Sequence, residues 1–162
     1  MRSKFYISIG SNEGDRLLNV IRSVRLLKER FSILGFSSIY LTKPVGFIGR
    51  DFLNCCALLK TEHNPFETLR ILQYIERALG RTHKGKPYKD RTIDLDILLW
   101  ENLTVKSQEL TIPHPEMKNR DFVNIPLKEM FSLGFSDMGY TPVINGDQSV
   151  EMVIYREALR FD

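Results

Sequence analysis

The chain has 162 residues, of which 43% are hydrophobic and 27% are charged, and its formal net charge at pH 7 is +3. This length suits one domain with its own hydrophobic core, and the composition is typical of soluble globular proteins. So small a net charge does not by itself imply a nucleic-acid partner. We expect neither a membrane span nor a signal peptide, because the apolar runs are too short for either.

The two cysteines, Cys55 and Cys56, are adjacent within an apolar segment that is typical of a strand. Successive side chains on a strand point to opposite faces, so a disulfide between them would be strained. Buried strand residues are therefore a better interpretation of the pair than a metal or redox site. Unpaired cysteines favour a reducing, cytoplasmic setting.

The first part of the chain predicts a strand, a helix and a second strand. Phe5 to Ile9 favours a strand, and residues 10–16 form a turn rich in glycine and polar residues. Leu17 to Phe31 then repeats apolar residues at helical spacing. Ile33 to Leu41 predicts a strand with a kink at Gly35. The turn lacks the lysine and the spacing of a P-loop.

Phe52 to Lys60 predicts a further strand, which places Phe52, Asn54, Cys56 and Leu58 on one face. Asn54 is unusual there, because burying an amide costs free energy unless the amide is hydrogen-bonded. Its side chain either makes a structural bond to the backbone or serves a binding site.

A second helix is marked at both ends by the sequence. Asn64 is a good N-cap, Pro65 suits the first helical position, and Gly80 ends the helical pattern. Gln73 and Glu76 share a flank beside the apolar stripe. Their side chains either stay solvated or reach into a site.

Residues 91–100 alternate between apolar and other residues and therefore predict a strand. Asp94 and Asp96 would share one face, roughly 6.5 Å apart along the backbone. The opposite face would carry Ile93, Leu95, Ile97 and Leu99. Two carboxylates at this spacing can hold one hard cation or two neighbouring ones, and oxygen ligands favour Mg²⁺ or Ca²⁺ over zinc. The alternative is a half-exposed strand that carries two acids on its solvent side.

Residues 81–91 form a loop that is rich in lysine and arginine and leads directly into the aspartate strand. A solvated loop is the usual interpretation of such a charge run. Beside paired carboxylates, however, these cations suit a polyphosphate with its Mg²⁺.

The last part of the chain contains a histidine between two prolines, and its secondary-structure patterns are weaker. His114 lies between two prolines and before Arg120, in either a structural or a binding role. Asn124 to Phe131 predicts a short helix entered through Pro126, and Ser149 to Leu159 has weak helical spacing. The order strand, helix, strand, strand, helix, strand predicts an α+β protein. We expect a ferredoxin-like βαββαβ sandwich with an antiparallel sheet and a small C-terminal extension.

Several short motifs, in this order along the chain, are together more specific than any one of them. They are Gly10-Ser11-Asn12 with Gly14-Asp15-Arg16, Thr42 with Pro44-Val45-Gly46, Phe52-Leu53-Asn54, Glu76 with Gly80-Arg81, Arg91-Thr92-Ile93-Asp94-Leu95-Asp96, and Pro113-His114-Pro115 with Arg120 and Phe122. In these motifs the chain resembles the 6-hydroxymethyl-7,8-dihydropterin pyrophosphokinases of folate biosynthesis. The resemblance extends over about residues 5–127 of a single domain spanning 1–162.

The resemblance implies transfer of diphosphate from ATP to the pterin hydroxymethyl group, with release of AMP. It implies that Asp94 and Asp96 bind two Mg²⁺ ions and act in catalysis together with Arg81 and Arg91. It implies pterin contacts from Thr42, Pro44, Val45, Phe52, Asn54 and Phe122, with the two phenylalanines stacking on the ring. It implies ATP contacts from Gln73, Glu76, Arg81, Arg91, Ile97, His114 and Arg120.

The chain departs from the family pattern in the basic loop. Members often have Trp-Gly-Pro where this chain has Tyr88-Lys89-Asp90, and often an arginine in place of His83. These differences bear on how loops 42–50 and 81–91 would close over the substrates. The expected partners are the two small substrates, without nucleic acid or membrane, and the expected state is a monomer.

Two other functions fit parts of the pattern. An Asp-x-Asp site also serves metal-dependent nucleotidyl or glycosyl transferases, although those usually have a larger nucleotide-binding domain. A ferredoxin-like nucleic-acid-binding module would present aromatic residues on its sheet, as RNA-binding modules do. The second function leaves the two aspartates without a use, because carboxylates repel a phosphate backbone.

Overall fold

A computed structural model describes residues 1–82 and 86–159. The strands are β1 (Ser3–Ser11), β2 (Ser32–Phe36), β3 (Ile39–Thr42), β4 (Phe52–Thr61), β5 (Asp94–Trp100), β6 (Val105–Lys106), β7 (Thr111–Ile112) and β8 (Val150–Ile154). The α-helices are α1 (Arg16–Arg30), α2 (Pro65–Ala78) and α3 (Asp121–Ser132), and 3₁₀ turns cover Met117–Asn119 and Arg156–Ala158. In the described part of the chain, no helix is long and apolar enough to cross a membrane.

The main sheet is antiparallel, with strand order β5-β1-β4-β3-β8, and β2 also pairs with β4. Strands β6 and β7 form a separate two-stranded sheet. The first and last strands of the βαββαβ unit therefore lie side by side, which is the ferredoxin-like arrangement. The predicted fold is confirmed.

Each face of the sheet has its own core. Helices α1 and α2 cover one face, where the core includes Ile7, Val24, Cys55, Leu72 and Leu95. Helix α3 covers the other face, where the core includes Tyr6, Cys56, Leu98, Val123 and Leu127. The two cysteines thus lie on opposite faces, as predicted, and both are free thiols.

The helix ends follow the capping residues. Asp15 accepts a hydrogen bond from the Leu18 N–H at 3.1 Å and begins α1. Asn64 accepts one from the Glu67 N–H at 2.9 Å and begins α2, with Pro65 at its first position. Gly80 follows α2 at φ +91°, a conformation that favours glycine.

The second strand of the prediction is two strands in the structure, interrupted at Ser37 and Ser38. The pairing of β2 with β4 shifts between Ile33 and Gly35, which confirms the kink. A Cβ at Gly35 would overlap the ring of Phe135, so glycine is required by close packing.

Three local predictions are wrong. Leu99 does not share a face with Leu95, because the register shifts between Tyr6 and Ile7 of β1 and turns Leu99 toward α3. Helix α3 begins at Asp121 and contains Pro126 in its interior. The C-terminal segment predicted as helical contains β8, which pairs with β3. The edge of β3 offers backbone groups that would otherwise be unpaired, and pairing with them is favoured over the weak helical pattern of this segment.

Candidate active site

Three neighbouring strands bring polar residues into one row on the face of the sheet that α3 covers. Gly10 of β1 lies opposite Asn54 of β4 and Asp94 of β5, and Asp96 lies opposite Ser8. A Cβ at Gly10 would overlap the Asn54 side-chain oxygen. A glycine at this position of β1 therefore leaves room for the Asn54 side chain beside it. Asp94 and Asp96 share this face, as predicted.

A cavity of about 390 Å³ opens above this row. Most of the residues that the family resemblance implies line it, namely Thr42, Val45, Phe52, Asn54, Arg81, Arg91, Asp94, Asp96, His114, Arg120 and Phe122. Pro44, Gln73, Glu76 and Ile97 do not belong to its lining. The Ile97 side chain packs in the core beneath α1 and α2, on the face opposite Asp96.

Asp94 contacts two arginines. Its Oδ1 accepts a hydrogen bond from Arg81 Nη1 at 2.7 Å, and its Oδ2 accepts one from Arg91 Nη1 at 3.3 Å. The arginine side chains are only 5% and 10% exposed, so these ion pairs are shielded from solvent. The donors around Asp94 are thus oriented before any substrate arrives.

Asp94 and Asp96 fit a hard divalent cation by their chemistry, since they offer carboxylate oxygens on one strand face. Among the described residues, no group of three or more histidine, cysteine or acidic side chains is placed to hold a metal. A site with only two carboxylates suits Mg²⁺, which is commonly bound by one or two carboxylates together with substrate phosphates and water.

Glu76 lies beneath the cavity. Its Oε2 is 2.8 Å from Arg81 Nη1 and accepts a hydrogen bond from the Leu95 N–H at 2.9 Å, and the residue is 3% exposed. Burial acts to lower the pKa of Arg81, but Asp94 and Glu76 outweigh it and raise that pKa above its ordinary value. Glu76 therefore helps to direct Arg81 toward Asp94, and the contact of Glu76 with ATP that the family resemblance implies stays a prediction.

Arg91 is enclosed by three aromatic rings. Its guanidinium carbon lies 5.3 Å from the ring centroid of Phe47, 5.5 Å from that of Phe52 and 5.7 Å from that of Tyr88. These are cation–π distances. Tyr88 belongs to the basic loop, in the stretch that departs from the family pattern. His83 lies outside the described residues.

Asn54 is hydrogen-bonded as its burial requires. Its Nδ2 donates to Thr42 Oγ1 of the neighbouring strand at 2.7 Å, and the residue is 5% exposed. The partner is a side chain and not the backbone. The bond holds the amide in the cavity wall beside Phe52.

Asn12 is a structural residue of the site to which the sequence assigned no role. Its Nδ2 donates to Arg50 O at 3.0 Å and to Asp90 Oδ1 at 2.8 Å, and its Oδ1 accepts from the Arg91 N–H at 2.7 Å. It therefore joins the two loops that border the cavity. The available signal was an asparagine directly after an apolar strand.

A polar cluster of His114, Glu116 and Arg120 forms another part of the cavity wall. Glu116 pairs with Arg120, and it accepts a hydrogen bond from Tyr88 Oη at 3.2 Å. His114 Nδ1 accepts from the Glu116 N–H at 3.2 Å. Burial lowers the pKa of His114, and the nearby Asp96 only partly opposes that shift. The imidazole is thus neutral near pH 7 and keeps its other nitrogen available to donate.

The geometry agrees with comparisons to known proteins. The family model described as 7,8-dihydro-6-hydroxymethylpterin-pyrophosphokinase (HPPK) matches residues 6–132. The chain is 42% identical over 133 residues to the 2-amino-4-hydroxy-6-hydroxymethyldihydropteridine pyrophosphokinase of Bacillus subtilis, covering 80% of this chain and 79% of that protein. It is 45% identical over 130 residues to the Porphyromonas gingivalis protein of the same name, covering 77% and 88%.

A solved structure shares the fold. The alignment with the crystal structure of an HPPK-DHPS in complex with substrates has a TM-score of 0.65 at 15% identity. It covers 80% of this chain and 40% of that longer chain. Because the family model spans most of the chain and two relatives exceed 40% identity, the chain belongs to the 7,8-dihydro-6-hydroxymethylpterin-pyrophosphokinase (HPPK) family.

Proposed function

We propose that this protein transfers diphosphate from ATP to the hydroxymethyl group of 6-hydroxymethyl-7,8-dihydropterin, releasing AMP, in folate biosynthesis. One observation carries the proposal beyond family membership. A single cavity places two aspartates and several cations next to aromatic side chains and a buried amide. The charged part suits a triphosphate, and the aromatic part suits a flat heterocycle.

The triphosphate would lie against the aspartate strand. Arg81 and Arg91 would neutralise charge on the transferred phosphates, while His114 and Arg120 would donate to phosphate or ribose oxygens. Asp94 and Asp96 would hold two Mg²⁺ ions, with phosphate oxygens completing their coordination. Those ions, when bound, would supply positive charge where negative charge develops on the phosphates.

The pterin would stack between Phe52 and Phe122. Asn54 has an amide that can read the donors and acceptors along the pterin edge, together with the backbone of residues 42–45. This places Pro44 near the substrate through its backbone, although its side chain does not line the cavity. A pterin that stacks on Phe52 would displace the Arg91 guanidinium from that ring and leave it available to the phosphates.

Three residues that the resemblance implies as ATP contacts lie outside the lining of the cavity. Glu76 is the buried partner of Arg81, so its part in the reaction would be to hold that arginine. Ile97 could meet ATP only through its backbone, since its side chain is in the core. Gln73 lies half-buried on α2, and its contact with ATP remains a proposal.

No obligatory general base is assigned, because positioning and preorganised charge can carry this reaction. Loops 42–50 and 81–91 would close over the substrates and exclude water. We also propose that the protein acts as a monomer. We also infer a cytoplasmic enzyme without nucleic-acid or membrane partners, in keeping with its two free thiols.

The deciding experiment is to incubate the purified protein with ATP, MgCl₂ and 6-hydroxymethyl-7,8-dihydropterin and to separate the nucleotides. We expect AMP in an amount equal to the pterin consumed, and none when pterin or MgCl₂ is omitted. Formation of ADP would indicate single phosphoryl transfer and would contradict the proposal, as would the absence of any nucleotide product.

A further inference from the structure

Two polar residues at the start of α3, Asp121 and Asn124, are completely buried, at 0% exposure. Both bind residues 140–148, a glycine-containing segment beyond the part of the chain that carried the family resemblance. We call residues 140–148 the C-terminal brace. It contributes no residue to the lining of the cavity.

Asp121 binds the brace through its carboxylate. Its Oδ1 accepts a hydrogen bond from the Asn145 N–H at 2.8 Å, and its Oδ2 accepts one from the Gly146 N–H at 2.9 Å. Its own N–H donates to Gln148 Oε1 at 2.9 Å. Gly146 adopts φ +80°, which favours glycine at the turn that presents these N–H groups. The start of the helix and the brace therefore exchange hydrogen bonds in both directions.

Asn124 binds the brace one helical turn later. Its Oδ1 accepts from Tyr140 Oη at 2.6 Å and from the Val143 N–H at 3.1 Å. Its Nδ2 donates to the carbonyls of Met117 and Arg120. The same amide thus connects the brace to the backbone that leads into α3.

Residues three apart on a helix share one side, so Asp121 and Asn124 fix the rotation of α3 about its axis. Phe122 lies between them in sequence and about 100° around the helix, which directs its ring into the cavity. The first turn of a helix lacks intrahelical partners for its N–H groups and frays readily. Contacts made by the brace therefore control how firmly Phe122 is held.

We propose that Asp121 and Asn124 are positioning residues, which use the C-terminal brace to hold Phe122 at the depth required for stacking on the pterin. This inference rests on the proposed function, because it takes the pterin as the ligand of Phe122. It assigns to residues 140–148 a role in pterin affinity without any contact with the substrate.

If pterin binding and the brace contacts are coupled, pterin binding must stabilise those contacts by the same free energy by which the contacts strengthen pterin binding. Amide hydrogen exchange of the wild-type protein, followed by NMR with and without 6-hydroxymethyl-7,8-dihydropterin and a non-hydrolysable ATP analogue, tests this directly. We expect exchange at Val143, Asn145 and Gly146 to slow about fivefold on addition of pterin. The Arg156 amide, which bonds Ser38 Oγ at the other end of the extension, is the control and should not change. Equal exchange at the brace amides in both samples would overturn the inference.

A pair of variants on the same helix separates positioning from general stability. Asp121→Asn removes one of the two carboxylate acceptors and should raise the Kd for the pterin about tenfold, while the Kd for ATP changes less than twofold. Glu129→Gln is the matched control. Glu129 binds the Ser38 N–H at 2.7 Å and Tyr40 Oη at 2.9 Å from the far end of α3. It should lower the melting temperature without changing the Kd for the pterin.

The outcomes are distinguishable by calorimetric titration. A wild-type protein that does not bind the pterin would overturn the proposed function and this inference with it. A wild-type protein that binds the pterin, with Asp121→Asn binding it equally well, would overturn the inference alone. Equal loss of pterin affinity in Asp121→Asn and Glu129→Gln would show a general effect of stability and would also overturn it. If Asp121→Asn does not fold, the exchange measurement on the wild type decides.

Discussion

Glu76 lies directly beneath Arg81, with its Oε2 2.8 Å from the same Nη1 that donates to Asp94. The two side chains are 4% and 5% exposed. Removing one member of a buried ion pair leaves an uncompensated charge in a poorly solvated place. The ion pair therefore contributes to folding stability and also orients the Arg81 guanidinium in the cavity.

Replacing Glu76 by glutamine should affect both stability and turnover. We expect the free energy of unfolding to fall by about 1.5–3 kcal/mol, the range for a hydrogen bond to a charged group. AMP formation at saturating substrates should fall roughly tenfold, because Arg81 is held less firmly. Urea unfolding and initial rates measure the two effects. Glu67→Gln on the same helix is the control, since its pair with His63 is half-exposed and should contribute little.

Asp96 can be tested separately from the fold. Asp96→Ala should abolish AMP formation at every MgCl₂ concentration while the melting temperature stays within a few degrees of the wild type. The reason is that the residue is partly exposed at the cavity and supplies one of only two carboxylates on this strand face. Glu101→Ala, in the turn directly after β5, is the control. Near-normal turnover by the Asp96 variant would contradict its assignment to Mg²⁺.

Replacing Gly10 should weaken pterin binding, although glycine has no side chain that could contact the pterin itself. Gly10→Ala places a methyl group against the Asn54 amide, which must then leave its bond to Thr42. We expect the Kd for the pterin to rise about tenfold, the scale of one displaced hydrogen-bonding group.

Gly35→Ala is a matched control for this change, because its methyl group would collide with the ring of Phe135. It should destabilise the protein and leave the Kd for the pterin unchanged. Calorimetric titration of both variants with the pterin gives the comparison. The same Kd for the two variants would argue against a role of Asn54 in reading the pterin edge.

Strong local signals predicted much of this fold from the sequence. The predicted N-cap Asn64 begins α2, and the apolar segments predicted as strands before and after that helix form the sheet. Leu99 and β8 could not be predicted in the same way. The first depends on a register shift against β1, and the second depends on the open edge of β3. Both are decided by pairing between distant segments and not by local pattern.

The candidate site shows the same difference between residues placed by local pattern and residues placed by contacts between distant segments. The aspartate pair was predictable because its two residues share a strand face by sequence spacing alone. Glu76 was recognisable as a polar residue beside an apolar stripe, but its distance to Arg81 depends on how α2 packs against β5. Asn12 joins two loops far apart in sequence, so its contacts appear only in three dimensions.

Phe122 gives the most direct test of the pterin assignment. Phe122→Ala should raise the Kd for the pterin by roughly 10- to 100-fold, since stacking of a flat base on an aromatic ring is worth about 1–3 kcal/mol. The Kd for ATP should change much less, because the contact of Phe122 with Arg120 is only one of several contacts in the charged part of the cavity. Phe131→Ala, which removes a ring from the core on the same helix, should lower stability and spare pterin binding. Separate calorimetric titrations with each substrate decide, and equal losses of affinity for pterin and ATP in Phe122→Ala would argue against the stacked arrangement.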